Sequence, residues 1–102
     1  MVTYAIKFSK DLELVTVEYH LETPHGSTDR ISDLSLYVNG KDVFTKNASG
    51  NTNLFGTELV TLPDETKDVE VGFAISDVTG WTVSGSDTLR GGHPFDDASF
   101  QN

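Results

Sequence analysis

Three observations predict an all-β chain. Apolar and polar residues alternate at every second position through most of the 102 residues, turn-forming clusters recur at roughly 8–12 residue intervals, and no stretch sustains the three-and-four apolar spacing of a helix. Together they point to an antiparallel two-sheet β-sandwich of seven to eight strands, immunoglobulin-like or jelly-roll in topology, with a small barrel as the alternative. Residues 1–90 are expected to form the sandwich and residues 91–102 a C-terminal tail or loop.

The first strand is expected over residues 2–8, with Val2, Tyr4, Ile6 and Phe8 on one face and Thr3, Ala5 and Lys7 on the other. Ser9-Lys10-Asp11 then turns the chain. A second strand over 12–21 puts Val15, Val17, Tyr19 and Leu21 inward, and the phase change at Leu12 and Leu14 signals a bulge or twist. The segment 22–30, ETPHGSTDR, collects Pro24, Gly26, Ser27 and Asp29 and reads as a long polar loop. A third strand, 31–38, points Leu34, Leu36 and Val38 inward. It meets Asn39-Gly40, the strongest short hairpin signal, and a fourth strand over 41–46.

Residues 47–53, NASGNTN, read as a second polar loop. A fifth strand covers 54–62, and Pro63-Asp64-Glu65-Thr66 turns the chain. The stretch 67–78, KDVEVGFAISDV, is the expected central strand: Val69, Val71, Phe73 and Ile75 share one face, while Gly72 and Ala74 thin the other so that a loop or partner could approach closely. Thr79-Gly80 turns into Trp81-Thr82-Val83, followed by Ser84-Gly85-Ser86 and a short element over 87–90. GGHPFDDASFQN then shows no alternation.

Composition excludes several functions. The 16 acids against 7 Lys and Arg give a net charge of −9, which repels a phosphate backbone, so nucleic-acid binding is not expected. No run approaches the ~18 apolar residues of a membrane helix, and MVTYAIKF is not expected to act as a signal peptide. No compartment is indicated. The chain has no cysteine, which removes disulfides, thiolate metal sites and a Cys nucleophile.

Motif chemistry is sparse. The acids fall on outward strand positions or in turns rather than as a facing catalytic pair, and no serine lies in a G-x-S-x-G turn. His93 with Asp96 and Asp97 is the nearest approach to a zinc spacing, and a terminal segment holds such a site poorly. Ser84-Gly85-Ser86-Asp87 and Asp96-Asp97 offer oxygens to Ca²⁺ without the D-x-D-x-D-G series. No cofactor is therefore expected, with Ca²⁺ held by these oxygens as the alternative. Asn47-Ala48-Ser49 fits the N-glycosylation pattern of an exposed loop.

The single tryptophan carries the functional expectation. An aromatic face stacks on the apolar face of a sugar while neighbouring polar groups take its hydroxyls. Trp81, Asp77, Asp87, Arg90 and His93 are near one another in sequence and are expected to share one end of the sandwich with the loops 22–30 and 47–53. The architecture is similar to that of small microbial and fungal β-sandwich lectins, an analogy of fold and composition that carries no residues over. The expected function is a non-enzymatic carbohydrate-binding module. The alternative is a structural or protein-interaction module that self-associates through a sheet face or edge, motivated by the row Thr3, Ala5 and Lys7 and by the thin face at Gly72 and Ala74.

Overall fold

The computed structural model describes the backbone of residues 1–102 and every side chain except that of Ser49. Eight strands run in chain order: β1 Thr3–Asp11, β2 Leu14–Glu22, β3 Ile31–Val38, β4 Lys41–Asn51, β5 Asn53–Thr61, β6 Val69–Asp77, β7 Thr82–Leu89 and β8 Phe95–Gln101. They form two four-stranded antiparallel sheets, ordered β5-β2-β1-β8 (sheet A) and β4-β3-β6-β7 (sheet B). The pairs β1–β2, β3–β4 and β6–β7 stay within a sheet while the links between them change sheet, as in an immunoglobulin-type sandwich. A single closed barrel does not form.

The period-two pattern explains which face is buried. Val15, Val17, Tyr19 and Leu21 of β2 and Leu34, Leu36 and Val38 of β3 all face the core, and Ile6 and Phe8 of β1 join them. From β6 come Val69, Val71, Phe73 and Ile75, so the expected central strand is indeed an inner strand. Rings bridge the sheets, with Phe73 of β6 standing 5.3 Å from Tyr4 and 5.0 Å from Phe100, and within sheet A Phe8 meets Phe100 edge-on at 6.1 Å. Phe8 and Phe73, the fully buried rings of this group, each contribute about 1.5–3 kcal/mol by burial.

Four local expectations are corrected. Ser9, Lys10 and Asp11 continue β1, and the hairpin turn is Leu12-Glu13, with Leu12 at φ 54°. This turn, rather than a bulge inside β2, produces the phase change. Residues 47–51 belong to β4, whose register against β3 shifts between Ile31 and Asp33, so the polar run lies mostly within an irregular strand. Asn47 is exposed there, and Ser49 of the same triplet lies outside the described side chains. The element after Trp81 is one strand, β7, because its small residues still pair with β6 along the whole length.

The fourth correction concerns the C-terminus. Residues 95–101 form β8 and pair with β1 from Ala5↔Gln101 to Asp11↔Phe95, burying Ala98. The alternation is Asp96, Ala98 and Phe100 inward against Phe95, Asp97, Ser99 and Gln101 outward, too weakly apolar to be legible without its partner.

Candidate functional site

Antiparallel pairing sorts the connections between two ends. The loop 23–30, Thr52, the turn 78–81 and both termini lie at one end; the turns at Leu12-Glu13 and Asn39-Gly40, the link 62–68 and the link 90–94 lie at the other. Trp81 and Asp77 are therefore at the first end, and Arg90 and His93 are at the second. The eight residues of β7 separate them by about 25 Å. Asp87 is exposed on β7, opposite Val71. The five expected site residues do not converge, because a strand carries its two ends to opposite poles.

Asp77 is a buried anchor. Its Oδ1 accepts hydrogen bonds from the Thr79 hydroxyl at 2.6 Å, the Thr79 N–H at 2.9 Å and the Trp81 N–H at 3.0 Å. The amino group of Met1 lies 3.1 Å from Asp77 Oδ2 and 2.5 Å from Asp29 Oδ2. Burial pushes the Asp77 pKa up, but the donors from Thr79, the amino group and Trp81 outweigh it and hold the carboxyl well below the usual carboxylate range. Trp81 is half-buried and packs against the core, so it both closes the sandwich and borders solvent.

At the far end Arg90 donates its backbone N–H to Asp96 Oδ2 at 2.8 Å, with Nε of the same residue at 3.5 Å. The carbonyl of exposed His93 accepts from Nζ of buried Lys10 at 2.6 Å. These contacts fasten the link 90–94 to the sheets. Among the described residues, no group of three or more His, Asp or Glu stands close enough to hold a metal ion.

The loop 23–30 borders a polar cleft of about 610 Å³ with Glu22, Pro24, His25, Ser27, Arg30 and Asn53 in its wall. Trp81 is not part of it. Arg30 turns back into its own loop, with Nη1 donating to the carbonyls of Ser27 at 3.1 Å and Asp29 at 2.5 Å. The cleft is built of loop residues and strand ends, and carries the exposed imidazole of His25 but no Phe, Tyr or Trp ring.

A different site lies on the outer face of sheet A. The strand registers stack two rows across four strands: Phe55, His20, Ala5, Gln101, and beside it Thr57, Glu18, Lys7, Ser99. They line a furrow of about 460 Å³. The small side chain of Ala5 between His20 and Gln101 leaves its floor low. The Phe55 ring is 69% exposed, and the His20 ring meets it edge-on at 6.1 Å. An exposed aromatic thus sits among an ammonium, a carboxylate, an imidazole, an amide and two hydroxyls. Of these residues the sequence singled out only Ala5 and Lys7, as part of a row on the first strand; the others are ordinary outward strand positions, and the rows exist only through cross-strand register.

No protein-family model and no curated protein matches the chain in sequence.

Proposed function

We propose that the protein is a non-enzymatic carbohydrate-binding module whose ligand lies in the furrow on sheet A, not at the Trp81 end. The observation that supports this most is the exposed Phe55 ring within the two rows of polar side chains. A sugar ring offers an apolar face that packs on an aromatic and hydroxyls that bridge donors and acceptors at its rim. Lys7 and His20 donate to hydroxyl oxygens, Glu18 accepts from hydroxyl hydrogens, and Gln101 does both. The open, shallow shape suits a hydrated ligand. Among the described lining residues Glu18 is the single carboxylate, whereas glycoside hydrolysis needs a pair about 5–9.5 Å apart.

The experiment is a glycan array with labelled wild type, Phe55→Ala and His25→Ala, each with calcium and with chelator. Wild-type binding that persists in chelator and is lost in Phe55→Ala supports the reading. Retention in Phe55→Ala with loss in His25→Ala moves the ligand to the polar cleft, and a blank array with folded wild type overturns the carbohydrate reading.

A further inference from the structure

We infer that β5 is a self-association edge, through which two copies of the chain join their A sheets antiparallel about a two-fold axis at Thr57. The hydrogen bonds at the two ends of β5 decide which of its groups are free. Leu62 N–H donates to Glu13 O at 2.6 Å, and Thr52 O accepts from Thr23 N–H at 2.9 Å, both toward β2. The unbroken β2–β5 register carries this parity along the strand, so residues 54, 56, 58 and 60 pair inward and residues 53, 55, 57, 59 and 61 present their N–H and C=O at the free edge.

An edge of this kind pairs antiparallel with its own copy only in registers that set free groups against free groups. Centring on Thr57 satisfies that rule and overlaps all nine residues of β5. In this register Thr57 faces its own copy, and Phe55 faces Leu59 of the second copy twice over. Phe55 and Leu59 are 69% and 66% exposed, the largest apolar side chains on this face of the free edge. An isologous contact must be self-complementary, and the sequence FGTEL supplies that symmetry. On the inner side Leu54 meets Val60. The one charge on the strand, Glu58, meets Gly56 rather than its own copy, so no like charges stand opposite each other.

The other edges are guarded. β4 carries Lys41, Asp42 and Lys46 and two register breaks. β8 carries Asp96 and Asp97, and β7 presents Ser and Thr outward with Asp87. Charges and irregularity of this sort are how natural sheets block edge pairing, whereas β5 carries the single charge Glu58 and an unbroken register. A nine-residue edge with two Phe–Leu pairs falls at the small end of specific interfaces, so the dimer forms as a function of concentration.

The test is sedimentation equilibrium across a concentration series, with cysteine cross-linking to read the register. The wild type is expected to rise toward twice the 11.1 kDa chain mass, and Leu59→Lys to stay at the monomer mass with an unchanged circular dichroism spectrum and melting point. Because the chain has no native cysteine, Thr57→Cys reports the axis: its two Cα atoms stand about 5.5 Å apart in the proposed register, within disulfide or short bismaleimide reach. Leu59→Cys, which faces Phe55, is expected to cross-link at least tenfold more slowly. A wild type monomeric at every concentration, Leu59→Lys dimerising like wild type, or Leu59→Cys cross-linking as fast as Thr57→Cys would each overturn the inference.

Discussion

The ring of Tyr37 fills the space a side chain at Gly72 would need: a Cβ there would lie 2.7 Å from Tyr37 Cε2 and 2.8 Å from the Gly85 carbonyl oxygen. The two residues are directly paired between β3 and β6. Tyr19 with Gly56 and Phe73 with Gly85 repeat the arrangement, each an aromatic lying over a cross-strand glycine. The thin place on β6 is therefore filled from within sheet B by Tyr37, and Gly72 itself is buried.

Gly72→Ala is accordingly expected to destabilise the protein by about 1–3 kcal/mol, because one of the clashing atoms is backbone and cannot swing away. Gly56→Ala is expected to be milder, since its nearest contact at 2.5 Å is the Tyr19 hydroxyl at the end of a side chain. Denaturant melts of the two variants check this, and equal losses would contradict the explanation.

Asp77 sets the acid limb of stability. Its folded pKa is depressed below the unfolded value of about 3.9, so its contribution is complete above that value and disappears as pH falls through the lower folded pKa. Asp77→Ala, which orphans the Thr79 and Trp81 donors, is expected to lose about 2–3 kcal/mol at pH 7 and progressively less below pH ~4. The Met1 ammonium runs the other way: the Asp29 hydrogen bond, then that to Asp77, raises its pKa, so its contribution is present below the unfolded value and fades as pH rises through the folded one. Thermal melts from acid to alkaline pH measure both limbs. An Asp77→Ala deficit constant with pH would refute the assignment.

Ligand in the sheet A furrow lies away from Trp81. Sugar titration is therefore expected to leave the intrinsic tryptophan emission nearly unchanged, while Trp81→Phe keeps binding within about twofold and lowers the melting point through lost packing. A ligand-dependent Trp81 emission shift in wild type would relocate the site.

Lys10 is 3% exposed and donates to the His93 carbonyl. Lys10→Met keeps the aliphatic stem and leaves that carbonyl unpartnered, so a loss of about 1–3 kcal/mol and faster amide exchange in residues 90–94 are expected. Exchange unchanged in that segment would show that Lys10 does not hold the link.

By itself the sequence determined the class of fold and the inner face of the strands with strong alternation. Val15 to Leu21 and Val69 to Ile75 repeat apolar residues every two positions, and the pleat leaves such a pattern only one way to bury them. It also determined the hairpin at Asn39-Gly40, where both residues take positive φ. The tertiary structure decided what depends on partners. β8 is a strand because β1 offers it hydrogen bonds, and residues 47–51 stay in β4 because a register shift absorbs them. Nearness in sequence placed Trp81 with Arg90 and His93, but an extended strand between them sends them to opposite poles. The furrow and the β5 edge arise from register across four strands, and register is a relation between segments far apart in the chain, which no single segment encodes.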